Sequence, residues 1–151
     1  MLTDEQIERY LAFLEDKILN EDKKSIELSR KWTKAFPTKP GVYMIFEGEK
    51  LVYVGETGNI RKRMVDLLDS RHHTLRRSLG KCHFSKEKGY KIASSKHKFP
   101  EHIEHKIAEW MEKKLRICSL PITVGRKELE ERIQDKHREK LYNLRGRRAA
   151  G

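Results

Sequence analysis

Residues 41–64 read GVYMIFEGEKLVYVGETGNIRKRM, and the two apolar runs in this stretch decide the fold. Residues 42–46 and 51–54 are short, rich in Val, Ile, Tyr and Phe, and separated by Glu47, Gly48, Glu49 and Lys50, the pattern of a β-hairpin. Thr57, Gly58 and Asn59 then supply a turn and a helix start. Ile60, Met64, Leu67 and Leu68 follow at helical spacing, with Arg61, Lys62 and Arg63 between them. Alternation along a strand makes the facing of Tyr43 and Tyr53 depend on the hairpin loop. A two-residue turn would place them on opposite faces. An odd loop of Gly48, Glu49 and Lys50 sets Ile45 opposite Tyr53 and brings both tyrosines to one face, which is the arrangement expected.

Upstream, Ile7, Tyr10, Leu11, Leu14 and Ile18 repeat at helical spacing behind Thr3 and Gln6, which have the form of a capping box. Ile26, Leu28 and Trp32 continue as a second expected helix, and Pro37 and Pro40 end the helical stretch. Downstream, residues 70–100 have weak periodicity. A helix beginning at Pro100 is marked by Ile103, Ile107, Trp110 or Met111, and Leu115. Leu115, Ile117 and Leu120 suggest a third strand, and a last helix from about Lys127 carries Leu129 and Ile133. The expected class is α+β, a small, mainly antiparallel three-stranded sheet flanked by helices. The expected organisation is a helical N-terminal extension over 1–36, a core domain over 37–143 with a basic insertion around 70–100, and a basic tail over 144–151 bearing Arg145, Arg147 and Arg148.

The chain has 151 residues, 34 Lys plus Arg against 23 Asp plus Glu, and a net charge of +11, which points to polyanions as partners. The charge is uneven. Residues 1–35 carry a net of −1, whereas residues 61–98 hold twelve Lys or Arg against Asp66, Asp69 and Glu87, a net of +9. So many cations cannot be neutralised locally, so this stretch is the expected phosphate-backbone footprint, with Arg61, Lys62, Arg71, Arg76, Arg77, Lys81, Lys86 and Lys88 as DNA-contacting candidates. No stretch reaches the roughly 20 apolar residues of a membrane span. The opening MLTDEQIERY lacks the basic and apolar regions of a secretory signal, so a cytoplasmic, intracellular location is expected. In a reducing compartment Cys82 and Cys118 are expected as buried thiols. Cys82, His83, His102, His105 and Cys118 include no paired Cys-x-x-Cys and make a poor zinc set.

Gly41-Val42-Tyr43 and Tyr53-Val54-Gly55 resemble the two signature tripeptides of the GIY-YIG nucleases, with Val for Ile in each. GETGNIRKRM continues the resemblance and puts Arg63 ten residues after Tyr53, where the family carries its catalytic arginine. LEERI places Glu130 like the family's metal-binding glutamate, and Leu141-Tyr142-Asn143 ends the match with its asparagine. The resemblance implies DNA cleavage with Mg²⁺ or Mn²⁺, with Tyr43, Tyr53, Arg63 and Glu130 catalytic and Gly41, Gly55 and Asn143 supporting. It departs at Leu67, where many relatives carry His or Tyr. Either His72 or His73 reaches in from the next segment, or the group is dispensable. Some repair-type relatives carry a basic residue where this chain has Glu56.

The chemistry of these residue types agrees. Phosphodiester hydrolysis requires a deprotonated water, compensation for charge at phosphorus and help for the departing oxygen. A tyrosine, whose ordinary pKa is about 10, serves as base at neutral pH only where positive charge favours the phenolate. An arginine has a planar, permanent charge suited to phosphate. A single carboxylate suffices for Mg²⁺, which keeps much of its water. Only one of Glu128, Glu130 and Glu131 can face a site beside Leu129 and Ile133, and it is expected to lie on the same side of the sheet as Tyr43, Tyr53 and Arg63. The alternative to an enzyme is a DNA- or RNA-binding module on the same fold, for which Leu67 is the best support.

Overall fold

The computed structural model describes residues 1–143. The basic tail expected over 144–151 lies outside the described residues. Helix α1 (Asp4–Leu19) begins with the expected capping box, in which Thr3 Oγ1 accepts the Gln6 N–H and Gln6 Oε1 accepts the Thr3 N–H. The second helix differs from expectation. Ser29 caps only a short α2 (Arg30–Thr33), and the residues before it form a strand, β1 (Lys24–Ser25). Ile26 is buried outside any helix.

Four strands, not three, make an antiparallel sheet in the order β1-β4-β2-β3, with β2 (Gly41–Glu47), β3 (Lys50–Thr57) and β4 (Leu115–Pro121) as its body. The fourth strand leaves no apolar pattern to read because β1 is two exposed residues, Lys24 and Ser25, paired with Ile117 and Arg116.

The hairpin corrects a second expectation. Glu47 pairs with Lys50, so the turn is the two residues Gly48 and Glu49. Gly48 has φ of 61° and Glu49 is not left-handed, the φ signature of a type II′ turn. The register shifts between Ile45, opposite Tyr53, and Phe46, opposite Leu51, leaving Val52 as an extra residue. This bulge supplies the odd residue that the loop was expected to provide. Val52 and Tyr53 both pack in the first core, Leu51 and Val54 in the second, and Tyr43 and Tyr53 share a face with rings stacked at 6.0 Å.

Helices α3 (Ile60–Asp66), α4 (Thr74–Phe84) and α5 (Glu101–Lys114) cover that face, and α1 and α6 (Arg126–Lys136) cover the other. The N-terminal 36 residues contribute to both cores, Leu14 and Ile18 to one and Ile26, Trp32 and Phe36 to the other. Of the alternatives on α5, Met111 is buried, and Trp110 is half-buried and stacked on His83 at 4.5 Å. Cys118 is buried, and burial pushes its thiol up to about 11, but Cys82 is exposed, contrary to expectation: it stands two turns after Leu75 on the same side of α4, but the buried part of that helix ends at Gly80. No helix among the described residues is long and apolar enough to cross a membrane.

Candidate active site

Tyr43 stands on the central strand and is fully enclosed. Its hydroxyl lies 3.3 Å from Arg63 Nε and 2.8 Å from His73 Nε2. His73 is the N-cap of α4, and its Nδ1 accepts the Leu75 N–H at 3.1 Å. With Nδ1 an acceptor, the proton of the neutral ring sits on Nε2 and is donated to Tyr43. Burial, then the nearby Arg63, Arg77 and Arg76, holds His73 well below the ordinary histidine range, so the ring is neutral. His73 thus occupies the position for which Leu67, itself buried, offers no polar group.

The Tyr43 oxygen therefore receives two N–H donors, both of which favour a phenolate. Burial opposes them, and the neighbouring Tyr53 adds to burial. Together they raise the Tyr43 pKa well above 10 against the pull of Arg63, and the free protein carries a phenol at neutral pH. Tyr53 points its hydroxyl instead at Thr74 Oγ1, 3.2 Å away. Arg63 comes from α3, whose start is fixed by Asn59 Oδ1 accepting the Lys62 N–H. Its Nη1 donates to Asp66 Oδ2 and to the His72 carbonyl, both at 3.0 Å, while Nη2 enters none of these contacts.

The signature glycines are close approaches. A Cβ on Gly55 would stand 2.5 Å from the Tyr43 hydroxyl oxygen, and one on Gly41 would stand 2.3 Å from the Leu120 carbonyl oxygen.

Glu130 does not arrive from the expected side. Its neighbours Leu129 and Ile133 pack in the core on the opposite face of the sheet from the tyrosines. The side chain turns to the outer edge of β3, where Oε2 accepts the Glu56 N–H at 2.7 Å. Since Glu56 follows Gly55, which lies against the Tyr43 hydroxyl, bonded geometry limits the two oxygens to a separation of at most about 9 Å. Glu128 and Glu131 are exposed. Asn143 fills the same edge, its Nδ2 donating to the Val54 carbonyl at 2.7 Å and its Oδ1 accepting the Val54 N–H at 3.2 Å. Among the described residues no group of three or more His, Cys, Asp or Glu is placed to hold a metal ion. A divalent ion at Glu130 would draw its other ligands from water and phosphate, which suits Mg²⁺.

The basic stretch divides. Arg76 is 4% exposed and bound to Glu104 at 2.7 Å, to Ser70 and to the Leu67 carbonyl, so it is an internal brace and not part of the cationic surface. Arg61 donates to the carbonyls of Phe36 and Lys34, Arg77 to those of Ser70 and Arg71, and Arg71 pairs with Asp69. Lys62, Lys86 and Lys88 are exposed, and Lys81 is half-buried. Sequence reasoning missed Thr74 and Arg126. The Arg126 guanidinium bonds the Glu56 carboxylate at 2.7 Å, and its position one helical turn before Glu130 was the available signal.

Residues 10–148 match the family model described as GIY-YIG catalytic domain, and the chain belongs to that family. Neither the curated proteins nor the solved structures compared with it include a match.

Proposed function

We propose that the protein is a metal-dependent endonuclease that hydrolyses DNA phosphodiester bonds. The observation that carries this reading is the Tyr43 oxygen held between two N–H donors, Arg63 and His73, one residue along β3 from the peptide that anchors Glu130. Tyr43 is the better candidate for the base, since Tyr53 faces a threonine hydroxyl. As phenolate it takes a proton from the attacking water, while Arg63 and the His73 Nε2–H stabilise the negative oxygen beforehand and Arg63 presents Nη2 to phosphate. His73 cannot take that proton, because Nδ1 is engaged by Leu75 and Nε2 already carries one. Glu130 is the residue that would hold Mg²⁺ or Mn²⁺. A divalent ion there would supply positive charge to the phosphate and the leaving oxygen.

Lys62, Lys86, Lys88 and the other cations of 61–98 that reach solvent hold the backbone. The binding-module reading rested on Leu67, and His73 at the Tyr43 hydroxyl removes much of that support. Incubation of the purified protein with supercoiled plasmid and Mg²⁺, Mn²⁺ or chelator decides between the two. Nicked and linear products only with an ion are expected. Binding without cleavage under every condition would favour the non-catalytic module.

A further inference from the structure

Arg126 lies four residues before Glu130, and this spacing puts both side chains on one face of α6. Both converge on Glu56. The Glu130 carboxylate takes the Glu56 backbone N–H, while the Arg126 guanidinium holds the Glu56 carboxylate, each at 2.7 Å. Arg126 Nη2 also stands 4.0 Å from where a Cβ on Gly58 would lie, beside the turn that leads into α3 and Arg63. The side chains of Arg126 and Glu56 are 31% and 22% exposed, and a pair this open to water contributes little to folding. The Glu56 carboxylate nevertheless belongs to the residue whose backbone N–H holds Glu130, and a negative group there repels a phosphate strand unless it is neutralised. A guanidinium fork that fits a carboxylate fits a phosphate equally well.

We propose that Arg126 is a second phosphate-contacting residue of this site, held by Glu56 until a phosphate of the nucleic-acid strand takes the place of the carboxylate. The proposal rests on the nuclease reading above. The phosphate is one that flanks the scissile group, since Arg126 lies about 6 Å along α6 from Glu130.

The test measures binding of a short fluorescent DNA duplex in EDTA across a salt series, with plasmid cleavage in Mg²⁺ scored separately. Arg126→Ala should weaken binding several-fold and lower the log–log salt slope by about 1. In cleavage it should raise KM more than it lowers kcat. Glu56→Gln should tighten binding several-fold, the opposite of what the loss of a merely structural ion pair would do. If Arg126→Ala does not fold, Glu56→Gln decides alone. Unchanged or weaker binding by Glu56→Gln, or an unchanged salt slope in a folded Arg126→Ala, overturns the proposal. A protein that shows both binding shifts but never nicks plasmid refutes the nuclease reading and leaves the phosphate contact standing. Cleavage with unmoved binding refutes the phosphate contact alone.

Discussion

On one face of the sheet, α3, α4 and α5 enclose the Tyr43 hydroxyl, the His73 ring and the Arg76 guanidinium; on the other, α1 and α6 enclose aliphatic side chains, Phe46 and the Cys118 thiol. The two layers solve different problems. The buried charged and imidazole groups of the first are held by partners, although the Tyr90 hydroxyl packed against it has none among the described residues: Arg76 has Glu104, Ser70 and a carbonyl, and His73 has one bond at each nitrogen. Such a network holds its members in one arrangement, and a broken link strands a buried donor or acceptor. The second layer is held mainly by packing; the Cys118 thiol meets the Ile18 carbonyl inside it, and its ion pairs join the helices α1 and α6, where Glu15 is paired with Arg132 and Lys136. The exception is Glu130, which belongs by its helix to the packing layer and by its carboxylate to the edge of the polar one.

This division can be tested by damage to each side. Arg63→Ala should reduce plasmid cleavage about 100-fold or more while most DNA binding remains. A comparable loss in Arg61→Ala, with Arg63→Ala active, would assign the wrong arginine. Glu130→Gln should abolish ion-dependent cleavage and tighten DNA binding. A glutamine can still accept the Glu56 N–H, so circular dichroism and melting should stay close to wild type.

With saturating Mg²⁺, the wild-type rate should rise with pH by up to tenfold per unit across about pH 6–8, because the raised Tyr43 pKa leaves the phenolate a minor species there. A flat profile would argue against Tyr43 as base. His73→Ala should lower the rate about five- to tenfold, the worth of one hydrogen bond to the reacting oxygen. His73→Gln should restore part of it. The folded pKa of His73 is depressed, so the stability of its neutral burial is complete above the unfolded value of about 6.5 and is lost as pH falls below it. The melting temperature of His73→Ala should therefore fall less steeply on acidification than that of wild type. In the packing layer, Ile18→Ala should cost about 2–5 kcal/mol of stability by denaturant titration. Well below its melting temperature it should cleave almost as wild type, and a large rate loss would erase the distinction between layers.

Much of this was legible wherever apolar periodicity or a motif spoke. Thr3 and Gln6 announced α1, the runs of 42–46 and 51–54 announced the hairpin, and the spacing of Tyr53 and Arg63 singled out one of three adjacent cations. The bulge at Val52 was not legible, because a two-residue turn with a bulge and a three-residue loop give the same parity. Helix α4 was obscured because it buries Arg76, Ser78 and Gly80 alongside Leu75 and Leu79, so its inner face does not read as apolar. For the same reason Arg76 looked like a surface cation: its partner Glu104 lies 28 residues away. Glu130 was identifiable by resemblance, but its approach around the edge of β3 depends on how α6 packs, which no local pattern encodes.

The filling of the β3 edge has a consequence for how copies of this chain behave toward one another. An outer strand with open N–H and C=O groups is a template for a strand from a second molecule. Here Asn143 occupies both groups of Val54 and Glu130 occupies the N–H of Glu56. Glu130→Ala and Glu130→Gln remove the same charge, yet only the alanine reopens the N–H. Light scattering on mild heating should show Glu130→Ala self-associating sooner than Glu130→Gln. The contact of Glu130 with the β3 edge would thus be kept for colloidal behaviour whether or not the chain cuts DNA.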